Sequence, residues 1–180
     1  PYDLVVYGAT GYTGRLVAEY LAHHYRGKGP TWAMAGRSAD KLAEVRDLIG
    51  APNDTPLIVA NSDDPASMAA LADSARVIVT TVGPYQLYGE PLLKACVEAG
   101  TDYADLCGEP GWMREMVDKH HDAAKASGAR IAFSSGFDLR EFAGSDSPTS
   151  TSSRDQADLG RLMAEAMERM KQAGVLVGKG

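Results

Sequence analysis

Gly8, Gly11 and Gly14 stand three residues apart in the stretch VVYGATGYTG, directly after an apolar run. Glycines so placed can cradle a pyrophosphate. The first allows a tight turn. The second lets the backbone approach the anion with no Cβ in the way. The third lets the following helix pack closely on the sheet. That helix would present unpaired N–H groups and the positive end of its dipole to the phosphates. Thr10, Tyr12 and Thr13 fill the loop, and the two threonines add hydroxyl or backbone donors. The spacing is G-x-x-G-x-x-G, not the commoner G-x-G-x-x-G. The context is nevertheless what such a motif requires: strand before, helix after, first loop of the chain. The competing reading is an ordinary structural turn.

The next informative position follows the second apolar run, in AMAGRSADKL. An NAD site usually places an Asp or Glu there for the ribose 2′-hydroxyl. Here Ala35, Gly36, Arg37 and Ser38 offer no carboxylate. The planar fork of Arg37 suits a 2′-phosphate, with Ser38 as a further donor and Lys41 as a point charge. These residues point to NADP; the alternative for Arg37 is a solvated surface side chain. Asn61, in NSDD after the third run, would border an adenine, and an Asp in the same stretch could equally cap a helix. Val82, Gly83, Pro84 and Tyr85 in TTVGPYQLYGEP could form a wall beside a nicotinamide. A plain turn with packed tyrosines fits them as well.

No catalytic residue can be assigned. No Tyr has a Lys four residues on, so the Tyr-x-x-x-Lys pair of short-chain dehydrogenases is missing. Asp102, Tyr103, Asp105, Cys107 and Glu109 gather at the end of the fifth run, where capping and packing compete with acid–base roles. Cys107 would need an activating partner to be a nucleophile, and Cys96 falls on an apolar helical stripe. His23, His24, His120 and His121 come as adjacent helical pairs that face different ways, which is no metal site.

These groups are held by a simple alternation. Strands are expected at residues 4–7, 31–35, 57–60, 77–82, 103–106 and 131–133, and helices at 14–25, 40–48, 65–74, 91–99 and 112–126. Continuous apolar strands separated by helices with short connections imply a doubly wound α/β fold, a parallel Rossmann-type sheet of about six strands buried on both faces. The dinucleotide-binding unit is expected to span residues 1–142. A polar linker follows at 143–155, then a C-terminal amphipathic helix and tail at 156–180, with Leu159, Leu162, Met163, Ala166, Met167 and Met170 on one stripe. A net charge of −6 without Lys/Arg clusters argues against a nucleic-acid partner. Two cysteines without C-x-x-C spacing, and no apolar run near the ~20 residues that span a bilayer, fit a cytoplasmic protein.

Taken together, YDLVVYGATGYTGRLVAEYL, WAMAGRSADKL, TTVGPYQLYGEPLLKACVEAGTDYADLCGE and SSGFD resemble the saccharopine dehydrogenase-like oxidoreductases, in the branch of the trans-acting enoyl reductases. The resemblance covers residues 2–138. It implies an NADP-binding Rossmann domain serving hydride transfer to an enoyl, keto or imine group of a small-molecule or lipid-linked substrate. It also implies a second domain that shapes the substrate site and usually a homodimer contact. Beyond Asp138 the sequence departs from the family pattern. The alternative reading is therefore a nucleotide-binding module or redox sensor without turnover. The expectation is that this chain binds NADPH and turns over slowly or not at all.

Overall fold

The structure, a computed structural model, describes residues 1–133 apart from Arg26 and Lys28. The SSGFD stretch, the expected linker and the expected C-terminal helix lie outside the described residues.

Six parallel strands form one sheet in the order β3-β2-β1-β4-β5-β6. They are β1 (Tyr2–Tyr7), β2 (Trp32–Gly36), β3 (Leu57–Val59), β4 (Ala75–Thr80), β5 (Asp102–Asp105) and β6 (Ile131–Ala132). Five helices connect them in turn: α1 (Tyr12–His24), α2 (Ala39–Leu48), α3 (Pro65–Asp73), α4 (Tyr85–Ala99) and α5 (Pro110–Ser127). This is the doubly wound topology expected from the alternation of apolar runs and helical stripes.

Alternation along β1 divides the core in two. Leu4 and Val6 point to the face covered by α1 and α2, where they meet Val17, Leu21 and Leu42. Val5 and Tyr7 point to the face covered by α3, α4 and α5, among Leu71, Leu92 and Cys96. Leu4, Val5 and Val6 are all fully buried, which is why the strand reads as a continuous apolar run. At about 25 cal/mol per Å2 of apolar surface, each such side chain contributes ~1.5–3 kcal/mol.

Four of the five helices start earlier than expected: α2 by one residue, α1 and α5 by two, and α4 by six. α1 begins at Tyr12, two residues early, because Gly11 serves as its N-cap. α4 begins at Tyr85, not at Pro91. Pro91 lies inside the helix and gives no N–H to the carbonyl four residues back. That residue, Leu87, is 68% exposed, so solvent can serve its carbonyl. What starts the helix early is a carboxylate from 24 residues later in the chain, described below.

Candidate dinucleotide site

The strand order reverses direction between β1 and β4, and the crevice at their carboxyl ends is where open α/β sheets bind ligands. β1 and β4 run in register from Tyr2 opposite Ala75 to Tyr7 opposite Thr80. The glycine loop leaves β1 on one side of the crevice, and Thr81 and Val82 leave β4 on the other. Gly8 has φ +90°, and a Cβ on it would lie 2.7 Å from Thr81 Oγ1 and 2.8 Å from Val82 Cγ2. A Cβ on Gly14 would lie 2.1 Å from the Gly8 carbonyl oxygen. Both glycines are thus demanded by the chain's own packing.

Gly11 differs. A Cβ there would meet only the Gly8 carbonyl oxygen, at 3.3 Å. Gly11 is exposed and caps α1 without a side chain. The first bond of α1 runs from Arg15 N to Gly11 O at 2.9 Å. The amides of Tyr12, Thr13 and Gly14 precede it and, by helix geometry, point out of the end of α1. The space in front of Gly11 is a cradle that a side chain would fill. A pyrophosphate fits it by charge, by donor geometry and by room.

The other early helix ends are spent on their own caps. Ser38 Oγ accepts from Lys41 N at 3.4 Å, and Asp64 Oδ1 accepts from Ala66 N at 3.0 Å. Asp64 thus takes the capping role that NSDD allowed. Asn61 Oδ1 accepts from Asp63 N, shaping the loop, while Asn61 N donates to Ser67 Oγ. In that cap Ser38 acts through its oxygen, so its hydroxyl can still donate.

At the end of β2, Gly36 is buried and Arg37 exposed. Thr10 closes over Gly36, its Oγ1 lying 3.6 Å from where a Cβ would stand. Thr10, Gly36, Arg37 and Ser38 therefore form one edge of the crevice, without a carboxylate among them. Sequence reasoning missed Tyr7 and Ser62 here. The buried Tyr7 hydroxyl is hydrogen-bonded with Ser62, next to Asp63 and under the field of Arg37. Burial pushes the Tyr7 phenol up, and the Ser62 bonds and the Arg37 charge hold it back in part.

The β4–α4 side of the crevice is built differently. Val82 is half-buried, Gly83 and Pro84 are exposed at the turn, and Tyr85 is buried beneath them. The Tyr85 hydroxyl donates to Thr80 O at 3.1 Å and accepts from Leu106 N at 3.2 Å. Its ring packs on Trp112, with centroids 5.8 Å apart. Tyr85 is thus a packed tyrosine that supports the turn, while Val82, Gly83 and Pro84 form its surface.

The acid–base candidates at the end of β5 are engaged in structural bonds. Asp102 pairs with Arg130, its Oδ2 accepting from Nε at 3.0 Å. Asp105, fully buried, accepts from Tyr103 Oη and from Cys107 N, both at 2.9 Å. Glu109 accepts from Tyr85 N at 3.0 Å and Gln86 N at 2.9 Å. Burial pushes the Cys107 thiol up to about 11; the charges of Asp105 and Glu109 add to this, and a backbone bond at Glu109 opposes it. Such a thiol is a poor nucleophile at neutral pH. Among the described residues no three His, Cys, Asp or Glu side chains are grouped to hold a metal ion, and no helix is long and apolar enough to cross a membrane.

This crevice, with its open glycine cradle at a doubly wound switch point, agrees with the sequence comparison. Residues 4–131 match the saccharopine dehydrogenase NADP binding domain family. The chain belongs to that family. It is 50% identical over 139 residues to a trans-acting enoyl reductase of Mycobacterium leprae, covering 76% of this chain and 32% of that protein. A putative trans-acting enoyl reductase of Mycobacterium tuberculosis is 49% identical over 138 residues, again covering 76% and 32%. The chain thus spans about a third of the length of the curated relatives it matches. Its fold is shared with a saccharopine dehydrogenase of Saccharomyces cerevisiae. There the TM-score is 0.57 at 12% identity, covering 74% of this chain and 27% of the yeast one. The saccharopine dehydrogenase-type domain seen here is a dinucleotide-binding domain.

Proposed function

We propose that this domain binds NADP(H) in preference to NAD(H). In this reading it is the cofactor-binding part of an oxidoreductase acting on an enoyl, keto or imine group of a lipid-linked substrate. The observation that carries the cofactor preference is the end of β2. There an exposed Arg37 is followed by Ser38, and residues 35–38 carry no carboxylate in the place where an NAD site usually has one for the ribose 2′-hydroxyl. Arg37 would take the 2′-phosphate through its fork, with Ser38 and Lys41 alongside. Gly8, Thr10, Gly11, Tyr12, Thr13 and Gly14 would hold the pyrophosphate. Asn61 would border the adenine, and Val82, Gly83, Pro84 and Tyr85 would form and support the wall beside the nicotinamide. The cofactor supplies the hydride, and the protein supplies binding and orientation. The enoyl group follows from the names of the similar mycobacterial proteins; the keto, imine and lipid-linked options follow from the family resemblance of the sequence. The relatives' additional length is the natural source of substrate contacts and of a homodimer interface.

The test is calorimetry with both cofactors. Loss of a charge-assisted contact costs about 1.5–3 kcal/mol, roughly 10- to 100-fold in affinity. Arg37→Ala should lose that much for NADPH and leave NADH nearly unchanged. Equal loss for both cofactors removes the basis for the preference.

Binding without turnover is a second reading with one observation in its favour. Asp102, Tyr103, Asp105 and Glu109 all have their polar atoms in internal bonds. NADPH oxidation with a panel of enoyl and keto substrates separates the two readings.

A further inference from the structure

The N-terminus of α4 faces the same carboxyl edge of the sheet as the cradle of α1. Its N-cap, Pro84, has no side chain that can accept from the first amides. Left open, this end would be a second place for an anion to lodge. It is closed from within the protein. The two carboxylate oxygens of Glu109 take one amide each, Oε1 from Tyr85 N and Oε2 from Gln86 N. Glu109 comes from the β5–α5 connection and is the N-cap residue of α5, yet its side chain serves the neighbouring helix.

Glu109 is itself held in place. Its N–H donates to Cys107 Sγ at 3.3 Å. Cys107 N in turn donates to Asp105, which also accepts from Tyr103. This path leads from the buried interior of β5 to the first turn of α4. Tyr85, the residue whose N–H Glu109 accepts, is fixed at its other end to Thr80 and Leu106. The turn of residues 81–84 is therefore clamped on both sides, at β4 by the Tyr85 hydroxyl and at α4 by the Glu109 carboxylate.

We propose that Glu109 is a positioning residue for the nicotinamide half of the cofactor. By occupying the amides of α4 it fixes the Val82–Pro84 wall. It also keeps the α4 helix end from competing with α1 for the pyrophosphate. This inference rests on the dinucleotide site described above. It predicts an effect confined to one half of the ligand, which a general loss of stability would not give.

The experiment compares NADPH with adenosine 2′,5′-bisphosphate, which carries the adenosine and 2′-phosphate but no nicotinamide. Glu109→Gln has nearly the same size but turns an NH2 group toward one of the two amides. Loss of a charge-assisted bond should weaken NADPH by about 10-fold or more, while adenosine 2′,5′-bisphosphate stays within about twofold of wild type. The fluorescence of bound NADPH should shift toward that of the free cofactor as the nicotinamide loses its wall. Glu109→Asp keeps the charge on a shorter arm. It carries the same comparison at lower amplitude should the glutamine variant not fold. Equal loss of both ligands, or no loss of either, overturns the inference while leaving the cofactor reading intact. Wild-type protein that binds neither ligand overturns both.

Discussion

The two halves of the crevice are built on opposite plans. On the β1–β2 side, Gly11, Tyr12 and Arg37 are exposed, and the first amides of α1 have no side-chain cap. On the β4–β5 side, Tyr85, Asp105, Cys107 and Glu109 bond to one another or to nearby backbone. One half leaves its helix end without a side-chain cap, and the other uses its polar groups to hold its own shape. The contrast fits a cofactor whose phosphates need many polar contacts and whose nicotinamide needs a firm, correctly placed surface.

The contrast is sharpest within the glycine loop. A valine at position 14 would drive its Cβ into the Gly8 carbonyl. Backbone against backbone cannot give way cheaply, so Gly14→Val should cost more than ~3 kcal/mol. Gly11→Val has one contact to relax, at 3.3 Å. It should cost less than ~1 kcal/mol of stability yet lose NADPH affinity by more than ~100-fold, because it fills the cradle. Denaturant melts and calorimetry on the two variants test the division. A Gly11 variant that still binds would make the loop a structural turn.

The locked half should respond in stability first. Tyr85→Phe leaves Thr80 O and Leu106 N without the hydroxyl that joins them. The expected cost is about 1–3 kcal/mol, read from the denaturant midpoint, with binding of adenosine 2′,5′-bisphosphate unchanged. An unaltered midpoint would show that the clamp is dispensable.

The smallest effect is at alkaline pH. The folded-state thiol of Cys107 titrates near 11, above its ordinary value of 9.0. Between those values the folded chain holds a proton that the unfolded chain has released. Its contribution to stability is therefore complete below pH 9 and declines as pH rises toward 11. Cys107→Ala should flatten the stability profile across that window. At pH 7–8, thiol reagents should label native Cys107 more slowly than the unfolded chain.

The alternation of apolar runs was enough to read the sheet, because strands buried on both faces leave a strong local signal. Strand ends moved by a residue or two, as at β4, expected to reach Val82 and observed to end at Thr80. The three glycines were legible because their neighbours on both sides supplied the context. The start of α4 was not, since it depends on Glu109, which no local pattern connects to Tyr85. For the same reason the cluster of Asp105, Cys107 and Glu109 read as either chemistry or capping until the bonds between elements were in view. Tyr7 and Ser62 lie 55 positions apart in the numbering and meet only because β1 and β3 end at the same edge. The glycine spacing already separated the roles of Gly11 and Gly14; the structure adds the distances, with a Cβ on Gly14 at 2.1 Å from the Gly8 carbonyl oxygen and one on Gly11 at 3.3 Å.

The central place of β1 carries a consequence in time. β1 is synthesised well before its β4 neighbour, and Thr81 Oγ1 approaches the Gly8 carbonyl across a sequence separation of 73 residues. At ~5–20 residues per second, translation needs roughly 4–15 s to cover that interval. Throughout it, one edge of β1 has no β4 beside it. Non-local pairing of this kind is intrinsically slow to form. The glycine loop is therefore made well before the β4 residues that complete its surroundings. A nascent chain becomes competent for its nucleotide only after most of its central sheet has closed.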